Sequence, residues 1–333
     1  MSTLHTMWSA VFIACAATAY GNGLAEAKLV NTQHLDLKGV GSVKITYGSD
    51  AVKLFRGDSD LLVIKEYMSI DDSDYYAHVS YAAAHAERQL VIESGERPVV
   101  DFGNFQSRVE VYIPASFTRA MAVKVTSGSF RADDALSFSA ISLESSSGSI
   151  TVNDIKSDTT ALVKTRSGSI RIQNIAAHEI QLSTTSGSIH CGTAGGTTAI
   201  TTTSGSVSFE RVNGDVFAVS TSGAIGLKLV TGALRVKTTS GSIRCAVAES
   251  AGDIALSATS GSVTLGIPRN LGFHFSAEIA SGTISTPFSN QLYTPFSNRH
   301  SATGTIRAAG LAEHELISIG ITVASGSIRV GWI

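Results

Sequence analysis

Proline is scarce in this chain, with five residues in 333, and aromatic side chains make up only 7%. Charged residues are few at 16%, and the formal net charge is −2 with no basic block. That shortage leaves no electrostatic footprint for nucleic acid or an anionic membrane surface. The one long apolar run, Met7 to Ala19, is too short to span a bilayer comfortably, so no transmembrane segment is expected in the mature chain. There is no Gly-x-Ser-x-Gly elbow, no Walker motif and no calcium-type Gly-Gly-x-Gly-x-Asp nonapeptide. What is present is glycine, 31 residues, with abundant Ser and Thr on a 43% hydrophobic background. This composition describes an all-β chain with many tight corners and enough apolar surface to bury a core.

The N-terminus reads as a targeting segment. Met7–Ala19 is apolar and ends in small residues, and Ala17-Thr-Ala19 and Ala25-Glu-Ala27 both suit a small-x-small cleavage rule. Residues 1–27 are therefore expected to be a signal peptide, although Met1–Thr6 contains no Lys or Arg. The expected location is secreted, or the cell envelope and cell surface.

A short phrase, Ser-Gly-Ser-Ile, returns about every twenty residues, and a fixed period of that length signals a repeat architecture. Its glycines are Gly128, Gly148, Gly168, Gly187, Gly205, Gly223, Gly241, Gly261, Gly282, Gly304 and Gly326. Two places later stand Phe130, Ile150, Ile170, Ile189, Val207, Ile225, Ile243, Val263, Ile284, Ile306 and Ile328, all large and apolar. Apolar residues fall at odd positions before each glycine and at even positions after it. A strand thus reaches a corner, turns and continues with its inward face reset. Glycine suits such a corner because it enters positive φ without steric cost. A second corner is expected half a period on, at Asn153-Asp154, Gly195-Gly196, Asn213-Gly214, Gly232 and Gly252-Asp253. One such unit is too small to stand alone, and stacking makes its apolar columns continuous. The expected fold is an all-β parallel β-solenoid (β-helix) of about eleven coils over residues 121–333.

Residues 28–120 keep the phrase less cleanly and are expected to form an N-terminal β cap or starter region over exposed strand edges. Within it, Gly41-Ser42-Val43-x-Ile45 looks like the same corner register. Residues 286–298 contain a tandem duplication with two prolines and are expected to protrude as a loop between coils.

The stretch Val109–Phe130, running through Ile113-Pro114 into serial Ser-Gly-Ser-Ile phrases, resembles the bacterial putative-adhesin family, a β-strand-repeat domain of unknown function. The likeness covers about residues 30–333. It implies a cell-envelope or surface protein with a β-solenoid fold, and it brings no catalytic residues with it.

The search for chemistry yields no catalytic, cofactor-binding or metal residues. His314-Glu315 fails as a zincin motif because position 318 is Ser318. His178-Glu179 reads as a solvated pair, and His78 with His85 as an unremarkable spacing. Asp133, Asp134 and Asp154 form the one carboxylate group that adjacent coils would bring together, as a solenoid polysaccharide enzyme would require. An outward threonine column two places before the glycines, from Thr126 to Thr259, is flanked by Lys124, Glu144, Lys164 and Lys237, which spoil a flat hydroxyl array. Cys191 and Cys245 fall in one inward column three coils apart, too far for a disulfide, so both are expected to be free buried thiols. The sequence therefore points to a non-enzymatic, adhesin-like solenoid that binds a protein or glycan partner through its outer face or the 286–298 loop. A solenoid polysaccharide lyase or hydrolase and a structural spacer are the alternatives.

Overall fold

The computed structural model describes residues 26–84, 87–97, 105–292, 300–307 and 316–333. The expected signal peptide therefore lies almost wholly outside the described residues, as do His85, His314, Glu315 and the second half of the tandem duplication.

The first strands are β1 (Lys28–Asp36), β2 (Val40–Tyr47), β3 (Ala51–Gly57), β4 (Leu61–Met68), β5 (His78–Ala84), β6 (Glu87–Glu93) and β7 (Ser107–Pro114). There follow β8 (Ala120–Val125), β9 (Phe130–Ala132), β10 (Leu136–Phe138), β11 (Ile141–Ser145), β12 (Ile150–Ser157), β13 (Thr160–Thr165), β14 (Ile170–Thr184) and β15 (Ile189–Thr202). The remainder are β16 (Val207–Asn213), β17 (Val216–Ser220), β18 (Ile225–Val230), β19 (Leu234–Thr238), β20 (Ile243–Val247), β21 (Ile254–Ile267), β22 (Phe273–Ser285), β23 (Ser301–Ile306) and β24 (Ile317–Trp332). All belong to one continuous sheet, and no α-helix occurs among the described residues.

Alternation explains these strands. In β17 and β19, every second residue is buried: Val216, Ala218 and Ser220, then Leu234, Val236 and Thr238. Parallel pairing in register stacks such residues into columns. Phe130, Ile150, Ile170, Ile189, Val207, Ile225, Ile243 and Val263 follow one another across neighbouring strands, and all are buried. A long apolar core runs down the stack.

The stack does not follow chain order at either end. On the face before the corner glycines, the parallel order is β6, β2, β8, β11, β13, β14, β15, β17, β19, β21, β24, β22. At the start, β2 and β3 lie between the later strands β6/β7 and β8/β9. Residues 28–120 thus contribute layers to the stack as well as antiparallel strands at its end. There β5 pairs with β6, β4 with β7 and β1 with β4, all antiparallel. At the other end, β24 sits between β21 and β22, and β23 pairs antiparallel with β22.

These orders correct the sequence reading. The count of eleven successive coils does not stand, because Gly304 and Ile306 lie in antiparallel β23, opposite Phe275 and Phe273. Ile284 is only partly buried, because its coil is the outermost. Gly41 is not a corner either: Val43 and Ile45 pair with Met121 and Val123, so they stand before the corner, and Asp50 occupies the glycine place. The expected second corner divides in two. Asp154, Asn174 and Thr193 lie in strand register, whereas Gly196 and Gly214, both at positive φ, turn the chain a few residues later. Coils that have both turns, as β15 does between Ile189 and Thr202, accordingly run in three short segments.

The reverse side of this arrangement is testable by cross-linking. Ser262 is paired with Ser327, and Thr283 lies one layer beyond. A Ser262→Cys/Ser327→Cys variant should oxidise readily, since facing residues on neighbouring strands lie about 5 Å apart, within disulfide reach. Ser262→Cys/Thr283→Cys, which chain order would favour, should stay reduced. Non-reducing peptide mapping distinguishes the two outcomes.

Candidate binding faces

The corner explains why glycine recurs. Adding a Cβ to Gly148 would drive it under 3.0 Å from the Gly128 carbonyl oxygen, and each later corner repeats the conflict with the glycine before it. The ladder runs Gly128, Gly148, Gly168, Gly187, Gly205, Gly223, Gly241, Gly261, then Gly326 and finally Gly282. Positive φ occurs only at Gly261, Gly282 and Gly326 in this column. At the other corners the requirement is therefore close approach of backbone to backbone, not left-handed geometry.

A second column, missed from the sequence, sits three places before the glycines. Thr165, Thr184, Thr202, Ser220 and Thr238 are buried among apolar residues. Their hydroxyls accept from the corner glycine N–H: Gly187 to Thr184 at 3.0 Å, Gly205 to Thr202 at 3.0 Å and Gly223 to Ser220 at 2.9 Å. Ser220 also donates to the Gly223 carbonyl at 3.1 Å. The inward parity of odd positions was readable in the sequence. The threonines one place later, such as Thr203 and Thr221, are exposed.

The residues considered for chemistry are dispersed or structurally engaged. Asp133 pairs with exposed Arg131 at 2.8 Å, and its hydrogen bond from Arg131 holds its carboxyl below the usual range. Asp134 accepts from the Arg56 backbone N–H at 2.9 Å, and Asp154 accepts from the Asn174 side chain at 2.7 Å. His178 is exposed, and Glu179 accepts from Gln181 at 2.7 Å. His78 lies exposed on β5. No cluster of three or more metal-ligating side chains occurs among the described residues.

Buried carboxylates sit instead at the N-terminal end. Asp50, at the foot of the glycine column, is held by Arg97 through contacts of 2.9 and 3.3 Å. Glu66 accepts from Asn31 and from the Ala77 N–H, both at 2.8 Å, and from Tyr47 at 3.4 Å. Burial, with Glu66 nearby, pushes the Tyr47 phenol well above its usual range. These contacts tie the end strands together. At the opposite end, Phe288 of the duplicated segment is buried against Phe273, Phe275 and Trp332, with ring centroids 5.3–5.4 Å apart. Within the described part of the 286–298 segment, Phe288 alone is buried over the core, and Pro287 and Ser289–Gln291 are exposed.

Open grooves lie on the outside. One of about 680 Å³ at the N-terminal end is lined by Asp36, Lys38, Asp60, Arg88 and Arg119 among others. Another of about 400 Å³ runs beside Phe217 and Val219, where the Arg235 guanidinium stands 5.5 Å from the Phe217 ring.

Two outcomes follow from the buried columns. Thr202→Val leaves the Gly205 N–H without its acceptor and should cost about 1–3 kcal/mol, whereas Thr203→Val should be nearly silent; urea unfolding compares them. Cys191 and Cys245 are free and buried, and burial pushes both thiols up to about 12. Their folded ionisation therefore lies above the unfolded one near 8.5, so the stability they contribute is present below that pH and lost as pH rises towards 12. Iodoacetamide at pH 8 should label neither in the folded chain and both after denaturation.

No curated protein matches the chain. Similar solved structures include a putative adhesin from Parabacteroides distasonis (11% identity, TM-score 0.38, covering 90% of this chain and 96% of that one). A putative adhesin from Parabacteroides merdae gives 13% identity and TM-score 0.35 over 93% and 98% of the two chains. A putative cell adhesion protein from Clostridium sporogenes gives 9% and 0.29 over 92% and 100%. The Toastrack DUF4097 family model matches residues 78–231 and 193–330, most of the chain, and the chain therefore belongs to the Toastrack DUF4097 family.

Proposed function

We propose that this protein is a non-enzymatic adhesin-like β-solenoid, secreted or held at the cell surface, that binds a protein or glycan through its outer faces. The observation that carries this reading is the stack itself. In-register parallel pairing converts each outward sequence position into a straight column of side chains on a frame fixed by the glycine ladder. Such columns suit an extended partner, with little ordering cost on the protein side.

The enzyme alternative would need carboxylates converging on one open face. Asp133, Asp134 and Asp154 are instead bound to Arg131, the Arg56 backbone and Asn174. A purified chain should retain ligands on a glycan array or capture a surface protein, and should leave polysaccharides undegraded in a reducing-end assay. Release of new reducing ends, or retention of nothing at all, would contradict the proposal.

A further inference from the structure

The face that follows the corner glycines carries a column of arginines. Three places after their glycines stand Arg131, Arg171, Arg244 and Arg329, all exposed. Thr151 separates Arg131 from Arg171, and Thr264 separates Arg244 from Arg329. Between Arg171 and Arg244 lie His190, Ser208 and Gly226. Every arginine is thus an even number of layers from the next. Two layers at parallel-strand spacing make about 10 Å, and four make about 19 Å. Arg329 takes its place because β24 is inserted beside β21; chain order would have put Ser285 there.

We propose that this face binds a linear anionic glycan carrying one carboxylate per disaccharide. This rests on the binding function proposed above and names its partner. An extended sugar chain with that charge pattern repeats its carboxylates at the spacing of two layers. A guanidinium offers the planar fork that matches a carboxylate. The charge balance favours an anion: Arg171, Arg244 and Arg329 form no salt bridge among the described residues. The nearby acids are already matched, Asp133 by Arg131 and Glu210 by Lys228. A parallel serine column from Ser129 to Ser327, interrupted at Ala224, follows the corner glycines about 7 Å along the strands from the arginines, and its hydroxyls can meet sugar hydroxyls. Nucleic acid fits less well. The outward positions of this face between Arg131 and Arg329 hold no Phe, Tyr or Trp on which bases could stack.

The test is calorimetric titration of the full chain with a hyaluronan octasaccharide, beside a neutral chitin oligosaccharide of equal length and an oligothymidylate. Wild type should bind hyaluronan, more weakly as salt rises, and should bind neither control comparably. Arg171→Ala/Arg244→Ala/Arg329→Ala should weaken binding at least tenfold with an unchanged circular-dichroism spectrum. Asp133→Asn, which releases Arg131, should tighten it severalfold, and this gain does not depend on the triple variant's folding. No hyaluronan binding, unchanged affinity in both variants, or equal binding of oligothymidylate would overturn the inference. Retention of a neutral glycan or a protein, undisturbed by the triple variant, would overturn it while leaving the adhesin-like reading intact. Retention of nothing would overturn both.

Discussion

The contact on which the structure depends is glycine Cα against the carbonyl oxygen of the glycine one layer below. It leaves no room for a Cβ at any corner from Gly128 to Gly261, nor at Gly326 and Gly282 above them. Close approach there lets the coils stack without splaying, and the buried hydroxyls of Thr184, Thr202 and Ser220 take up the glycine N–H groups that would otherwise be left unpaired. Sterics and hydrogen bonding at one corner thus set the register for every column along the frame. The foot of the ladder is different. Asp50 replaces glycine, and its buried carboxylate is matched by Arg97 from the segment that closes that end.

A stack of open coils exposes unpaired strand edges, which invite association with other chains. At the N-terminal end β2/β3 are laid down first, antiparallel β4 and β5 follow, and β6/β7 pair on the outer side of β2/β3 before β8/β9 pair on the inner side. At the C-terminal end the chain leaves a space after β21, builds β22 and antiparallel β23, and returns as β24 to fill it. In both cases the enclosed layer is held between segments distant in sequence. Aromatic residues finish the job at the C-terminal end, where Phe288 closes over Phe273 and Phe275. Apolar side chains fill the interior of the stack, and its long outer faces carry the polar columns.

Much of this was legible in the sequence because the repeat is local. Parity on each side of Gly205 or Gly223 places Val207 and Ile225 inside, and the structure puts them there. The spacing of Cys191 and Cys245 also gives their separation, since Phe209 and Leu227 lie between them in the column. What was not legible is non-local. Gly304 carries the same phrase as its neighbours, yet Phe275 faces it across an antiparallel pair. Gly326 follows Gly282 in sequence but lies beneath it, because pairing between distant segments decides stacking order. The requirement for glycine is non-local in the same sense. Its dihedral freedom is an intrinsic property, whereas the carbonyl that excludes a Cβ belongs to another coil. The face-by-face reading of charge depends on the same order, as Arg329 neighbours Thr264 only through the inserted strand.

The corner glycines from Gly128 to Gly241 are required by stacking and not by backbone angle. Gly205 lacks positive φ and would press a Cβ onto the Gly187 carbonyl, whereas at Gly320, also without positive φ, the nearest atom stands 4.0 Å away. Thermal unfolding of Gly205→Ala and Gly320→Ala separates the two causes. The account predicts a fall of several degrees for Gly205→Ala, since overpacking costs about 1–3 kcal/mol or more, and little change for Gly320→Ala. Equal melting temperatures for the two variants would contradict it.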